Sequence, residues 1–315
     1  MTEAQRKCGF VAVIGAPNAG KSSLVNAMVG AKVSIVTHKV QTTRARVRGV
    51  CVEGDTQIVF IDTPGIFSPK RRLDRAMVAA AWEGLDGADA IVLMVDAPSY
   101  IAGSGNDKAD GAARKAAADT DAIIEEMKRR DAKAILVINK LDKLPREKML
   151  ALTAEMNAHG VFSDTFYVSA TRGDGLEDLK AHLVGLMPAG PWMYPEDQLS
   201  DISDRLMAAE VTREKLYLRL HQELPYEATV ETESWTRTKK KELRVEQTVY
   251  VARESQKGIV LGKGGRTLKA IGAAAREELE KLLGEKVHLF IYVKVRENWA
   301  DDPARYREMG LDIVG

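Results

Sequence analysis

The chain has 315 residues, 45% of them hydrophobic and 29% charged, with a formal net charge of +1. At ~100–200 residues per domain the length predicts two domains, and the balanced charge excludes a bulk pull toward nucleic acid or membrane, so any such contact must come from a local patch. The two cysteines, Cys8 and Cys51, exclude a disulfide framework and read as small apolar residues of a reducing compartment, and no apolar run approaches the ~18 residues of a membrane-crossing helix.

Strand-like Phe10–Ile14 follows Met1 so closely that no signal peptide is expected, and a cytoplasmic protein is. Further β-branched apolar runs occupy Val47–Val52, Gln57–Ile61, Ala90–Val95, Ala134–Ile138 and Phe166–Val168. Helical patterns separate most of them, as at Asp121–Arg130, Arg146–His159 and Leu176–Leu186. This alternation predicts an α/β domain with a mostly parallel, doubly wound sheet whose functional groups sit at the carboxyl ends of its strands. Between Pro98 and about Thr120 little aliphatic bulk follows Ile101, so a mobile surface insertion is expected, leading into an alanine-rich helix start.

Pro188-Ala-Gly-Pro-Trp-Met-Tyr-Pro195 has three prolines in eight residues and reads as a linker. The expected division is 1–188, a linker at 189–200, and 201–315. The last part orders a helix over about Asp201–His221, strands at Tyr226–Arg237 and Glu242–Arg253, and a glycine-rich turn at Gly262–Gly265. A helix follows, with Leu268, Ile271, Ala275, Leu279 and Leu282 at helical spacing. The final strand places Val287, Leu289, Ile291, Val293 and Val295 on one face. In the middle strand Leu243, Val245, Val249 and Val251 share a face interrupted only by Gln247. This is an α+β arrangement.

Gly15-Ala-Pro-Asn-Ala-Gly20-Lys21-Ser22 fits the phosphate-loop pattern G-x-x-x-x-G-K-S/T, after a strand and before a helical pattern. Backbone N–H groups of such a loop, here around Gly15, Asn18, Ala19, Gly20 and Ser23, face phosphates together with the positive end of the helix. Lys21 adds charge at the β- and γ-phosphates, and the Ser22 hydroxyl suits Mg²⁺. Asp62-Thr-Pro-Gly65 ends a strand; its carboxylate can reach Mg²⁺ through water, and the Gly65 N–H can meet the γ-phosphate. Alone, D-x-x-G is a common turn. In Asn139-Lys140-Leu-Asp142 the last carboxylate can accept hydrogen bonds from N1–H and the exocyclic amine of guanine. Adenine offers neither there, so Asp142 selects GTP over ATP. Ser169-Ala170, ending the next strand, is expected to close over guanine O6 with a backbone N–H.

Four such motifs in this order resemble the small-GTPase superfamily of phosphate-loop proteins. The resemblance implies GTP and GDP as ligands, Mg²⁺ as cofactor, and a threonine of Gln41-Thr42-Thr43-Arg44 on the metal and γ-phosphate. Thr43 is the first choice, with Thr42 close behind because spacing leaves the register open. Lys21, Thr43 and Gly65 are the expected catalytic groups. Ile66 stands where many relatives place a water-orienting glutamine, so slow turnover is expected, given that even glutamine-bearing members run at only ~4 × 10⁻⁴ s⁻¹ unaided. Asn18 lies in the G-x-P-N-x-G-K-S form of potassium-stimulated relatives; it either helps hold K⁺ or stabilises the turn.

Gly262-Lys263-Gly264-Gly265 matches the G-x-x-G loop with which KH domains clamp about four nucleotides of single-stranded RNA. Lys257, Lys263 and Arg266 can neutralise phosphates there. The helix–strand–strand before it and the helix–strand after it match the type II KH order. Lys239-Lys240-Lys241 reads either as a solvated hairpin tip or as an RNA contact. One GTPase domain followed by a type II KH domain resembles the Era family of bacterial GTPases. That resemblance rests also on Ser255-Gln-Lys-Gly-Ile-Val-Leu-Gly-Lys-Gly-Gly265 and Val293-Lys-Val-Arg-Glu-Asn-Trp299. It implies a KH domain holding the 3′ end of 16S rRNA, a role in assembly of the 30S subunit, and loose association with the inner membrane. A monomer is expected. The segment at 98–120 departs from the shorter one usual in the family. The alternative, a membrane-peripheral signalling GTPase whose C-terminal domain binds protein or lipid, has no lipidation motif or strongly basic amphipathic helix behind it.

Overall fold

The computed structural model describes residues 6–39, 42–44, 46–69, 71–220, 224–297, 299 and 311, and Gln41 of the proposed first switch segment lies outside them. The chain divides into two compact units, Met1–Ser34 with Thr43–Asp201 and Arg307–Gly315, and Ile35–Thr42 with Ile202–Tyr306.

In the first unit the strands are β1 (Lys7–Ile14), β2 (Val47–Glu53), β3 (Thr56–Asp62), β4 (Ala90–Asp96), β5 (Ala134–Asn139) and β6 (Phe162–Val168). They lie in the order β2-β3-β1-β4-β5-β6, parallel except for β2 against β3. Every residue of β3 and β5 is buried, because helices cover both faces and leave no strand side to solvent. One face packs on α1 (Lys21–Val29) and α6 (Leu176–Leu186) through Leu24, Met28, Leu179 and Leu183. The other packs on α2 (Arg72–Glu83), α3 (Ala97–Gly103), α4 (Gly111–Arg129) and α5 (Arg146–Asn157) through Ala81, Tyr100, Ile123, Met127 and Met156.

The expected mobile insertion is mostly helix: between α3 and α4 only Ser104–Asp110 stands outside the helices. Asp96 caps α3 by accepting from the Ser99 N–H (3.2 Å) and the Ser99 hydroxyl (2.8 Å). The buried Tyr100 donates from its hydroxyl to Asp121 (2.8 Å) and Glu155 (3.2 Å), tying α3 to α4 and α5. The alanine run that looked like thin packing is strong helix former, and its small side chains let two helices approach closely. Gly103 marks that contact, since a Cβ there would lie 2.1 Å from the Ala113 carbonyl oxygen. Gly103→Ala is therefore expected to cost ~1–3 kcal/mol of stability, measured by denaturant unfolding. Gly111→Ala, at the start of α4 with nothing within 4 Å of its Cβ position, is expected to be neutral or slightly stabilising.

Residues of the proline-rich segment form no helix, and they are held to the first unit by Gln57 of β3. The fully buried Gln57 accepts at Oε1 from the Met193 and Tyr194 N–H groups (2.9 and 3.0 Å) and donates from Nε2 to the Tyr194 carbonyl (2.9 Å). Cys8 and Cys51 are free thiols and both are buried.

The second unit carries β7 (Ala228–Arg237), β8 (Leu243–Val251) and β9 (Val287–Val295), with β8 central, antiparallel to β7 and parallel to β9. Helices α7 (Asp204–Arg219), α8 (Glu254–Leu261) and α9 (Arg266–Leu283) supply its core through residues such as Leu216, Val260 and Ile271. Leu243, Val245, Gln247, Val249 and Val251 are all buried on one face of β8. Gln247 is tolerated there because its Oε1 accepts from the Thr212 hydroxyl at 2.6 Å and its Nε2 donates to the Thr232 hydroxyl at 3.3 Å. Helix α8 was not expected from the sequence: it is only eight residues long and has Gly258 at its centre. Gln256 starts it, accepting at Oε1 from the Ala252 and Arg253 N–H groups (2.9 and 3.0 Å).

Candidate nucleotide and nucleic-acid sites

The loop from Gly15 to Gly20 joins β1 to α1, and two of its glycines are required by geometry. Gly15 has φ 151° with the Met94 carbonyl oxygen 2.4 Å from where a Cβ would stand; Gly20 has φ 104° with the Asn139 amide nitrogen at 2.3 Å. Asn18 sits between them in the left-handed region, φ 63°. Lys21 is buried and donates from Nζ to the carbonyls of Gly15 and Ala16, both at 3.1 Å. Burial pushes its pKa down to about 8, with the Asp62 carboxylate pulling the other way.

The two candidate threonines separate here. The Ser22 and Thr43 hydroxyls are 2.8 Å apart, whereas the Thr42 hydroxyl is bound to Thr37 Oγ1 (2.6 Å) and to the Lys39 carbonyl (2.7 Å). Upstream, Asn26 of α1 holds the chain at Val33 and Ser34: its Oδ1 accepts both N–H groups at 2.9 Å and its Nδ2 donates to the Ser34 carbonyl at 2.7 Å. Asp62, at the carboxyl end of β3, is buried, and neither carboxylate oxygen has a hydrogen-bond partner within 3.5 Å among the described residues. Burial holds its pKa up, against the pull of the nearby Ser22 and Ser34 hydroxyls and of Lys21. Gly65 lies so near the loop that a Cβ would fall 2.9 Å from Pro17 Cα, and the Ile66 N–H donates to the Gly15 carbonyl at 3.1 Å. The Ile66 side chain is buried in the core under α2, where it cannot bind water.

Asn139, at the end of β5, links three segments. It donates from Nδ2 to the Ala19 carbonyl (2.8 Å) and accepts at Oδ1 from the Ala170 N–H (3.2 Å). Lys140 takes a left-handed backbone, φ 64°, and its ammonium pairs with Asp96. Sequence reading missed Asp96, although an acid ending an apolar strand was its signal. Asp142 accepts from the Ser169 hydroxyl at 2.7 Å, and that bond holds its carboxyl below the usual range, so it stays ionised. The Ser169 N–H donates to the Asp174 carbonyl at 3.0 Å. The Ala170 N–H, expected to meet guanine O6, here donates to Asn139, so the segment also fixes the directions of Asn139 and Asp142.

In the second unit the Gly262–Gly265 loop joins α8 to α9. Its three glycines have φ of 70°, 62° and 74°. A Cβ on Gly262 would sit 2.1 Å from Thr267 Oγ1, while Gly264 and Gly265 face open space. Lys263 and Arg266 are exposed beside them, and Lys257 is ion-paired with Glu254 at 3.6 Å. An open backbone with exposed cations suits the close approach of a phosphodiester chain.

Residues 10–140 match the family model described as 50S ribosome-binding GTPase, and residues 223–300 match the KH domain model. GTPase Era of Caulobacter vibrioides is 57% identical over 312 residues, covering 99% of this chain and 98% of the relative. GTPase Era of Dinoroseobacter shibae is 57% identical over 318 residues, with the same coverage of 99% and 98%. Among solved structures, an Aquifex aeolicus Era variant bound to GDP.AlF4- matches with a TM-score of 0.86 at 36% identity, over 96% of this chain and 99% of that one. An Era in complex with MgGDPNP and nucleotides 1506–1542 of 16S ribosomal RNA matches with a TM-score of 0.87 at 35% identity, over 97% and 99%. Identity of this extent runs through both units, and the chain belongs to the Era family of GTP-hydrolysing proteins.

Proposed function

We propose that this chain is a GTP-operated switch that binds the 3′ end region of 16S rRNA through its G-x-x-G loop and assists 30S subunit assembly. The observation that carries the reading is a relative, matching 97% of this chain, that was solved with MgGDPNP and 16S nucleotides 1506–1542 together. The 16S segment belongs to the small subunit, and this directs the proposal to 30S assembly and not to the 50S subunit named by the GTPase family model. In this reading residues 1–188 handle GTP, 189–200 link, and 201–315 bind RNA. The protein acts as a monomer in the cytoplasm with loose contact to the inner membrane; no described helix is long and apolar enough to cross one.

Mg²⁺ fits the residues present. A buried carboxylate with no hydrogen-bond partner among the described residues, Asp62, stands near the Ser22 hydroxyl, which lies 2.8 Å from that of Thr43. Hard oxygen ligands of this kind suit a cation that keeps several waters, with Asp62 acting through water. When bound, the ion neutralises charge on the β- and γ-phosphates. Lys21 would add positive charge at the phosphates, and the Gly65 N–H would meet the γ-phosphate. The buried Ile66 leaves the attacking water without a side-chain partner at that position, which supports slow turnover. The proposal includes K⁺ beside Asn18, tested by hydrolysis in potassium against sodium.

Thr43→Ala is expected to raise the Mg²⁺ concentration for half-maximal hydrolysis about tenfold or more, the scale of one lost hydrogen bond to a charged group. Thr42→Ala is expected to leave it near the parent value, and equal effects would remove the assignment. RNA binding is tested with the labelled 1506–1542 segment in the presence of a GTP analogue and then GDP. Tight, GTP-favoured binding is expected, lost about tenfold or more in Gly264→Asp. Aspartate visits the left-handed region more readily than most residues and its Cβ would meet nothing within 4 Å, and a melting temperature near the parent's shows that its charge and not misfolding is read. Binding indifferent to sequence and nucleotide would overturn the reading.

A further inference from the structure

The β7–β8 hairpin ends in a turn in which the Lys241 N–H donates to the Thr238 carbonyl (2.8 Å) and the Thr238 N–H to the Glu242 carbonyl (2.9 Å). Its tip is Lys239-Lys240-Lys241, all exposed, and Lys241 takes a left-handed backbone, φ 63°, where hairpins favour glycine or asparagine. Among the described residues no partner is found for any of the three ammonium groups. The nearby carboxylates are already engaged: Glu285 takes Arg237 in two bonds of 2.6 and 2.9 Å, and Glu242 takes Lys286 (3.2 Å) and His288 (2.7 Å). Three uncompensated positive charges therefore project from one point of a chain whose net charge is only +1.

The sheet face leading away from this tip carries exposed aromatic rings. On β9 the side chains alternate, and Phe290 and Tyr292 stand outward, 41% and 50% exposed, while Leu289, Ile291 and Val293 turn toward the core. Register places Arg244 opposite His288 and Glu246 opposite Phe290, so Phe290 lies three residues from the first pair of the β8–β9 ladder, Leu243 with Val287, which adjoins the tip. The Arg244 guanidinium lies over the Phe290 ring at 4.6 Å, and Lys294 continues the same outward row. Arg244 is also ion-paired with Glu246 at 2.6 Å, so among the described residues the cation left free for phosphate on this row is Lys294. Two rings spaced ~6.6 Å apart along a strand suit successive unstacked bases.

We propose that the Lys239–Lys241 tip and the Phe290/Tyr292 face form a second single-stranded RNA contact, separate from the G-x-x-G loop. It rests on the RNA-binding reading and extends it: the loop clamps a few nucleotides, and this surface holds the strand beyond them. A ring-bearing sheet face favours RNA over an anionic lipid surface, which would use the charges and leave the rings without base partners.

The test titrates the full chain with the labelled 16S 1506–1542 segment by fluorescence anisotropy across a series of KCl concentrations. For the triple variant Lys239→Gln, Lys240→Gln, Lys241→Asn, the slope of log affinity against log salt should shrink by about 2, the loss of three phosphate contacts to a single strand. For Phe290→Ala with Tyr292→Ala, affinity should fall at least about fivefold with the slope unchanged. Melting temperatures of both variants show whether they fold, and single substitutions repeat the readout if the double aromatic variant does not. Unchanged slope and affinity in both, with binding still lost in Gly264→Asp, would overturn this proposal and leave the loop reading standing. Unchanged binding in Gly264→Asp as well would overturn both. Sedimentation with phosphatidylethanolamine–phosphatidylglycerol vesicles that needs the three lysines, while RNA binding does not, would assign the tip to a membrane and also overturn it.

Discussion

Asp142→Asn should lose GTP affinity on the order of 10²–10⁴-fold and gain affinity for xanthosine triphosphate, because the amide turns one acceptor into a donor. In the parent, both carboxylate oxygens can accept: one also takes the Ser169 hydroxyl at 2.7 Å, which fixes the group's direction. Asparagine keeps an acceptor for N1–H but presents its NH₂ to the exocyclic amine of guanine, donor against donor. Xanthine has a carbonyl at that position, so the mismatch becomes a hydrogen bond. The measurement is competition against a fluorescent guanine nucleotide. The hydrogen bond from Ser169 keeps Asp142 ionised well below neutral pH, so guanine preference in the parent should not change between mildly acid and neutral buffers. An unaltered GTP preference in the variant would mean that another residue reads the base.

Lys21→Ala should lower single-turnover hydrolysis by about 10²–10³-fold, the usual cost of removing one preorganised charge from a phosphoryl-transfer site. The parent carries a pH signature that the variant lacks. Burial has lowered the Lys21 pKa to about 8 in the nucleotide-free protein, so the ammonium is largely formed at pH 7 and lost as pH rises through that value. Phosphates favour the charged form, so GTP affinity should fall by up to tenfold per pH unit above about 8, until the raised pKa of the complex is reached. The alanine variant should show no such fall. The effect on folding has the opposite sign. Between about 8 and the ordinary 10.5 the unfolded chain holds this proton more readily than the folded one, so this group makes nucleotide-free stability rise with pH across that window. Thermal melts with and without nucleotide, in buffers spanning the window, separate the two. A flat profile for parent GTP binding would remove Lys21 as the titrating group.

Of the phosphate loop, Asp62-Thr-Pro-Gly65, Asn139-Lys-Leu-Asp142 and Gly262–Gly265, all were legible in the chain, for a local reason. Close backbone approach and left-handed turns admit few residue types, so Gly15, Gly20, Gly65 and Gly262 record their geometry at their own positions. The strand starts were less legible: β6 begins at Phe162 and not at Phe166, because its first half is only partly covered and its pattern is polar. Helix α3 and the first half of α4 were hidden for a related reason, since alanine and glycine pack by closeness and not by bulk.

Local chemistry could thus name the nucleotide and the KH-type loop, because each depends on a short segment whose residues act together. Partnerships across long separations needed the fold. The Thr43 hydroxyl meets that of Ser22 while the Thr42 hydroxyl meets that of Thr37, and spacing carries no record of which of the two threonines does so. Lys140 finds Asp96 across 44 residues, Asn139 takes the Ala170 N–H across 31, and Gln57 grips the proline-rich segment across more than 130. Asn139 and Gln57 are buried polar groups completing their hydrogen bonds, and Lys140 with Asp96 is a partly buried ion pair. Such groups can be spotted in a sequence, but the partner that satisfies them is chosen only when β3, β4, β5 and β6 are brought side by side.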